Sequence, residues 1–213
     1  MTPTLPRPPS PISRPNLRTI AASTPLHRNH ADGFRAAQFN PCKGQPTRFA
    51  PFPDAHGSCV PSLYAATSRE AAAFESVFHD IEATARFKTV RLSVVESRCV
   101  SAITPTRGLR LAGLFAPDLK AWSLERNQLI DTPKSTYDQT VLWAKAIHAN
   151  FHDVDGLIWT SRQCGPEQCI ILFGDRVSEA DFTVQEGLRV KGDAKLLGEL
   201  LGFARRAGIT LVV

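Results

Sequence analysis

The sequence predicts an α+β protein in which strands outnumber helices. Helical periodicity or capping signals recur in three separated segments, 68–83, 136–151 and 193–207. Short apolar runs rich in β-branched residues lie between them, as expected for strands of a mixed sheet. A chain of 213 residues with 43% apolar and 21% charged residues has the composition of one globular domain.

Residues 1–31 are predicted to form a disordered, Pro/Arg-rich extension, which leaves residues 32–213 as a single folded domain. Six of the sixteen prolines lie within the first fifteen residues. Proline has no N–H and a fixed φ, so neither a helix nor a central strand is expected there. His27 and His30, at the end of this extension, are expected to be solvated loop histidines.

The first well-supported element is a strand over 62–67 that leads directly into a helix. The helix is expected over 68–83 because Thr67 and Glu70 have the spacing of a capping box. Its apolar residues also follow a period of about 3.6 residues. They are Ala71, Phe74, Val77, Phe78 and Ile81. A short strand over 34–39 is expected earlier in the chain.

The remaining elements follow from apolar runs and turn signals. We expect two β-type runs, one helical turn, a long helix, two strands, a second long helix and a terminal strand. They lie over 90–103, 108–115, 119–122, 136–151, 156–161, 169–173, 193–207 and 209–213. The apolar run 169–173 is unbroken, which is typical of a strand buried on both faces.

Charge and cysteine patterns exclude several classes of protein. The net charge of +5 arises in residues 1–50, which hold seven basic residues and one acidic residue. A basic groove for nucleic acid is therefore not expected on the folded body. No segment approaches the ~18 apolar residues of a transmembrane helix, and no secretory signal is recognised. The five cysteines form no C-x-x-C pair, so reduced thiols, no metal site and a cytoplasmic location are expected.

Glu75 is distinctive on the 68–83 helix. It lies roughly 40° from Ala71 and roughly 60° from Phe78 around the helix axis, at the rim of the apolar stripe. A carboxylate there is partly buried and needs a partner. Small alanines beside it leave room for another molecule to approach. The helix alone leaves two interpretations open, a structural carboxylate paired with a surface arginine and a functional one.

A wider set of residues accompanies Glu75 in a fixed order along the chain. It comprises Gly33-Phe-Arg35, Thr47-Arg-Phe49, Leu63-Tyr-Ala-Ala66, Ser68-Arg-Glu-Ala-Ala-Ala-Phe-Glu75, Asp118-Leu119, Tyr137-Asp-Gln-Thr140 and Asp155-Gly-Leu-Ile-Trp-Thr-Ser-Arg162. Within it, Tyr64 and Glu75 are eleven residues apart. In order and spacing, the set resembles the RES domain family over roughly residues 33–175.

The resemblance implies a fold, a reaction and a partner. RES domains are similar to ADP-ribosyltransferases, with two facing mixed sheets and flanking helices around a cleft for NAD. They are commonly bacterial toxins that consume NAD and pair with a helix-turn-helix antitoxin of the Xre type. By position, Arg35, Arg48, Tyr64, Glu75 and Ser161 match the family's functional residues.

These side chains suit cleavage of the nicotinamide–ribose bond. The reaction builds positive charge on the ribose, which the Glu75 carboxylate would stabilise. Arg35 and Arg48 would hold the pyrophosphate. Tyr64 would stack on the nicotinamide ring, and Ser161 would bind its amide or the ribose. The predicted catalytic residues are thus Glu75, Arg48 and Tyr64, and the predicted NAD-binding residues are Arg35, Arg48, Tyr64 and Ser161.

The predicted function is that of a cytoplasmic toxin that depletes NAD by hydrolysis or phosphorolysis. Two alternatives stay open. One is transfer of ADP-ribose to a protein target, and the other is a non-enzymatic binding module that only retains the fold. An Xre-type antitoxin is the expected partner, whereas direct contact with nucleic acid or a membrane is not expected.

Overall fold

The structure of the protein is a computed structural model that describes residues 5–81 and 84–213. Within these residues, eight strands form one mixed sheet in the order β1-β6-β7-β8-β3-β2-β5-β9, and β4 and β10 form a separate parallel pair. The strands are β1 Leu17–Ile20, β2 Leu26–Ala31, β3 Ser62–Ala66, β4 Thr89–Arg91, β5 Arg98–Pro105, β6 Leu109–Gly113, β7 Gly156–Thr160, β8 Gln168–Phe173, β9 Phe182–Arg189 and β10 Thr210–Val212. The helices are α1 Arg69–Phe74, α2 Leu92–Glu96, α3 Ala116–Lys120, α4 Arg126–Leu129, α5 Tyr137–Asn150 and α6 Ala194–Arg206.

This arrangement confirms the predicted α+β class but corrects the expected number of facing sheets. Two facing mixed sheets were expected, whereas eight of the described strands join in one hydrogen-bonded sheet and the other two form a small pair. Its weakest junction lies between β2 and β3, which pair only at His27 and Ala66, whereas β2 pairs with β5 over its whole length. The sheet therefore divides at this junction into a five-stranded part, β1-β6-β7-β8-β3, and a three-stranded part, β2-β5-β9.

Within residues 5–31 the chain forms two strands, which corrects the disordered extension predicted over residues 1–31. Strands β1 and β2 belong to the large sheet. Before them, Trp143 and Trp122 donate their indole N–H groups to the carbonyls of Pro6 (3.0 Å) and Ser13 (3.1 Å). Proline-rich backbone cannot donate fully, but it still offers the carbonyls that buried tryptophans need. The folded domain thus begins well before residue 32, and residues 1–4 lie outside the described part.

The N-terminus of α1 is capped by Ser68 rather than by Thr67. Ser68 Oγ accepts the Ala71 N–H (3.2 Å), while Thr67 Oγ1 accepts the Gln168 N–H of β8 (2.9 Å). The capping box predicted from Thr67 and Glu70 is therefore wrong, because the neighbouring strand recruits Thr67.

Helix α1 ends at Phe74, well short of the predicted residue 83. The Ser76 hydroxyl donates to the Ala72 carbonyl (2.6 Å), and this local bond competes with the next turn of helix. The chain continues as turns to Asp80, and residues 82 and 83 lie outside the described part. The early end leaves Glu75 as the C-cap residue of α1.

Most other predicted elements are confirmed. They are α5, α6, β3, β6, β7, β8 and β10, and a helical turn near 119–122 is present as α3. Residues 34–39 form turns rather than a strand, the run 90–103 is interrupted by α2, and α4 and β9 were not predicted. In the described part of the chain, no helix is long and apolar enough to cross a membrane.

Cys42 and Cys59 form a disulfide, which corrects the expectation of reduced thiols throughout. Their Cα atoms are 6.3 Å apart, within the usual range for a bridge. Two isolated β-bridges, Asn40 to Ser62 and Pro53 to Cys59, bring this proline-rich loop back on itself. The loop closed by the disulfide carries the segment around Arg48. The other cysteines, Cys99, Cys164 and Cys169, are free thiols.

Candidate active site

A cavity of about 370 Å³ opens where β2 and β3 diverge. Its walls come from β2, β3, the end of α1 and the loop that precedes β3. The polar and aromatic side chains that line it include Arg28, Asn29, His30, Arg48, Tyr64, Glu75, His79, Arg98, Tyr137 and Trp159. The volume falls within the range of small-molecule binding sites, at about 300–1,000 Å³.

Glu75 reaches this cavity from the end of α1, and its carboxylate is held by one turn of chain after β7. Its Oε1 atom accepts hydrogen bonds from Ser161 Oγ (2.6 Å) and from the Arg162 N–H (2.8 Å). Its Oε2 atom accepts none from the residues that the structure describes. The carboxylate is thus fixed in orientation through one oxygen, while the other is available to a ligand.

Ser161 lies behind Glu75 rather than on the cavity wall. The residue is buried, at 2% exposure. Its Oγ atom also accepts the N–H groups of Gln163 (3.2 Å) and Cys164 (3.0 Å). The hydroxyl proton is therefore directed to Glu75. Ser161 holds the carboxylate by this hydrogen bond without itself lining the cavity. Direct contact between Ser161 and NAD remains a prediction that this placement does not favour.

Arg48 is a buried arginine whose guanidinium is only partly hydrogen-bonded. It packs over the Tyr137 ring, with Cζ 5.3 Å from the ring centroid, and donates through Nη2 to the Thr132 carbonyl (3.4 Å). Its Nε atom is buried and has no partner among the described residues. A buried cation with incomplete hydrogen bonding favours an anionic ligand. Arg48 and Glu75, both predicted from the sequence, line the same cavity.

Tyr64 also lines the cavity, and its hydroxyl fixes the loop that carries Arg48. The Oη atom accepts the Phe49 N–H (3.2 Å) and lies 2.8 Å from Thr47 Oγ1. Burial raises the pKa of Tyr64 to about 12, so the phenol stays protonated at neutral pH. Its ring packs edge-on against Trp159. The predicted stacking of Tyr64 on nicotinamide is untested by these contacts.

Arg35, which the sequence suggested as a pyrophosphate ligand, lies away from the cavity. Its side chain is 71% exposed and pairs with both carboxylate oxygens of Glu179 (2.8 and 2.9 Å). The arginine that lines the cavity from this part of the chain is Arg28, which the sequence reasoning missed. Arg28 is buried on β2 and donates through Nε to the Tyr64 carbonyl (3.1 Å). Burial lowers its pKa to about 10, so it stays charged at neutral pH.

His30 and His79 are two further ionisable groups that line the cavity. Burial lowers the pKa of His30 to about 4, and its Nε2 lies 2.8 Å from Ser101 Oγ. Burial also lowers the pKa of His79, which lies 3.1 Å from Asp80. Both rings are therefore neutral at neutral pH. The expectation that His27 and His30 are solvated loop histidines is wrong, because both lie on β2 and line the cavity. No group of three or more metal-ligating side chains occurs among the described residues.

Known proteins resemble this chain in fold and in family. One chain of the crystal structure of the M. tuberculosis MbcT-MbcA toxin–antitoxin complex is similar, with a TM-score of 0.60 and 18% sequence identity. That match covers 86% of this chain and 92% of the other, and at this identity it concerns the fold alone. Among curated proteins, no sequence matches significantly. The RES domain profile matches residues 21–191. Because this match spans most of its length, the chain belongs to the RES domain family.

Proposed function

We propose that this protein is a toxin that consumes NAD by cleaving the bond between nicotinamide and ribose. One observation carries the proposal. The Glu75 carboxylate is held by two hydrogen bonds on Oε1 and lines a cavity that also contains the arginines Arg28, Arg48 and Arg98. A dinucleotide needs both features, a carboxylate beside the reacting ribose and guanidinium groups around the pyrophosphate.

The chemistry follows from the charge that develops in the transition state. The C1′–N bond breaks heterolytically, the electron pair goes to the pyridine nitrogen, and nicotinamide leaves as a neutral molecule. The ribose acquires oxocarbenium character, as in glycoside hydrolysis. Glu75 Oε2 would stabilise that cation and accept hydrogen bonds from the ribose hydroxyls. Water, phosphate or a protein nucleophile then attacks C1′ and loses its proton.

The other cavity residues have supporting roles in this proposal. Arg48 would bind the pyrophosphate, and Arg28 would take the part that the sequence suggested for Arg35. Tyr64 would hold the Arg48 loop in place through its hydroxyl and offer its ring to the nicotinamide. Ser161 would orient Glu75 rather than bind NAD directly. No metal is required by this scheme.

An antitoxin partner is part of the proposal, because an enzyme that destroys NAD must be restrained in its own cell. Support comes from the family and from the fold likeness to a chain of a toxin–antitoxin complex. We expect a helix-turn-helix antitoxin of the Xre type and action in the cytoplasm. Toxicity on expression should be relieved by co-expression of the antitoxin and by loss of the Glu75 charge.

The direct test is nicotinamide release from NAD by the purified chain, with and without phosphate. Glu75→Gln keeps the size of the side chain and removes its charge, so we expect a loss of about 10²-fold or more. Glu70→Gln is the matched control, because Glu70 lies on the same helix but pairs with Arg206 (2.7 Å) outside the cavity. It should retain nearly full activity.

Each outcome has a clear meaning. Activity of Glu75→Gln close to that of the wild type would overturn the catalytic role of Glu75. If a folded, antitoxin-free sample released no nicotinamide, transfer of ADP-ribose to water or phosphate would be overturned. Labelling of a protein band from radioactive NAD would then identify a transferase. Phosphate dependence of release would separate phosphorolysis from hydrolysis.

A further inference from the structure

The turn that holds Glu75 is itself held by Arg126. This residue begins α4, and its Nη2 atom donates to the carbonyls of Thr160 (3.1 Å) and Ser161 (3.2 Å), where β7 ends. Its Nε atom donates to Asp131 Oδ2 (2.9 Å). The guanidinium is thus fixed by a carboxylate at Nε and donates hydrogen bonds to two consecutive carbonyls through Nη2.

The segment that carries Arg126 also reaches Arg48. At its far end, the Thr132 carbonyl accepts hydrogen bonds from Arg48 Nη2 (3.4 Å) and from Arg162 Nη1 (3.1 Å). Residues 126–132 therefore contact both the turn that orients Glu75 and Arg48, the arginine proposed to bind the pyrophosphate. Neither the sequence reasoning nor the comparisons point to this segment.

We propose that Arg126 is a positioning residue for the reaction, a role that rests on the proposed function. By holding the carbonyls of Thr160 and Ser161, it fixes the Ser161 hydroxyl and the Arg162 N–H that together orient Glu75. The pair with Asp131 lies at a part-exposed surface and contributes little stability by itself. The two charge-assisted bonds to carbonyls are the stronger part of the arrangement.

An arginine that only stabilises the fold would behave differently, and the chain contains one for comparison. Arg107 also pairs with a carboxylate, that of Asp155 (2.9 Å), and also donates to carbonyls, those of Gly108 and Arg176 (both 3.1 Å). Neither arginine lines the cavity, but the carbonyls that Arg107 contacts lie outside the turn that holds Glu75. Arg107→Gln is therefore a matched control for Arg126→Gln.

The experiment measures nicotinamide release by the full chain for both variants, with kcat and KM determined separately. We expect Arg126→Gln to lower kcat by about tenfold to a hundredfold, because a small misplacement of a catalytic group is costly. KM should change by less than about threefold, since the ligand contacts remain. Arg107→Gln should leave kcat unchanged, even if its melting temperature falls as far as that of Arg126→Gln. Arg126→Lys should restore part of kcat, because it keeps a charged donor.

A double variant separates positioning from general damage. In the Glu75→Gln background, Arg126→Gln should cause almost no further loss, because its effect passes through the Glu75 carboxylate. Full additivity of the two losses would overturn the proposal. So would equal kcat losses in Arg126→Gln and Arg107→Gln.

A second readout does not depend on activity. Hydrogen exchange at the Arg162 and Cys164 amides should accelerate in Arg126→Gln and stay unchanged in Arg107→Gln, because both amides belong to the turn that Arg126 holds. Unchanged exchange in Arg126→Gln would overturn the inference. An inactive wild-type chain would overturn the proposed function instead, while the exchange data still decide whether Arg126 fixes this turn.

Discussion

Glu75 and Arg28 line the same cavity from two sides, Glu75 from the end of the helix that follows β3 and Arg28 from β2. The two charged groups are held in different ways. Glu75 accepts both of its hydrogen bonds on one oxygen, and both come from the turn after β7. Arg28 donates to the Tyr64 carbonyl on β3 and to the carbonyls of Arg35 and Ala36 in the turn after β2. The first arrangement orients a group, whereas the second joins separate segments of chain.

The difference indicates which charge the fold depends on. Strands β2 and β3 pair at only one position, so the Arg28 side chain supplies a connection that the backbone ladder lacks there. Removing it leaves carbonyls without donors inside the protein, which is costly. Glu75 sits half-buried at a helix end, and its charge is of more use to a ligand than to the fold. Stability and activity should therefore separate between these residues.

The largest expected effect is on stability. Arg28→Gln should lower the free energy of unfolding by about 4 kcal/mol, because it removes charge-assisted bonds and leaves buried acceptors unpaired. Glu75→Gln should change it by less than about 1 kcal/mol, since an amide can still accept from Ser161 and Arg162. Urea unfolding followed by circular dichroism measures both. Equal losses in the two variants would remove the distinction between a connecting and an orienting charge.

The next effect concerns ligand affinity and sharpens the comparison. Arg48 resembles Arg28 in being buried, and it resembles Glu75 in being only partly hydrogen-bonded. Arg48→Gln should raise KM for NAD by about tenfold to a hundredfold, as expected for loss of a charge-assisted contact to a pyrophosphate.

Arg35→Gln serves as the comparison variant for Arg48→Gln. Its exposed pair with Glu179 is worth little, so KM and stability should stay near the wild-type values. A large rise in KM for Arg35→Gln would restore the role that the sequence suggested for Arg35 and contradict its placement outside the cavity.

The elements that carry Tyr64 and Glu75 were predictable because their signals are local, whereas the roles of the two residues came only from the family resemblance. A β-type run, a helix start and an apolar stripe place Tyr64 and Glu75 within a dozen residues. The end of α1 was not predictable from periodicity, because the apolar stripe continues past the point where the Ser76 hydroxyl competes for a backbone carbonyl. The helix was thus predicted in the right place but nine residues too long at its C-terminal end.

The opposite side was not predictable, because its buried residues are polar. Strand β2 buries Leu26, Arg28 and His30 on alternate positions, which is the period of a strand. Hydropathy conceals that period, since the partners that make burial of Arg28 and His30 possible, such as the Tyr64 carbonyl and the Ser101 hydroxyl, lie far along the chain. Order along the sequence alone could not separate Arg28 from Arg35.

The smallest expected effect tests the loop that joins the two sides. The Cys42–Cys59 disulfide closes the loop that carries Arg48, and Cys42 itself lines the cavity. Replacing both cysteines with serine should lower the free energy of unfolding by about 2 kcal/mol. It should raise KM by only about threefold, because the Tyr64 hydroxyl still holds the loop at Phe49.

A dithiol reductant, which is oxidised as it reduces the bridge, should shift the wild-type chain to the kinetics of the double serine variant and leave that variant unchanged. Alkylation of the denatured chain should label three cysteines before reduction and five after it. Five labelled cysteines without reductant would contradict the bridge itself. A KM that rises as much as in Arg48→Gln would show instead that the disulfide, and not Tyr64, holds the Arg48 loop in its binding conformation.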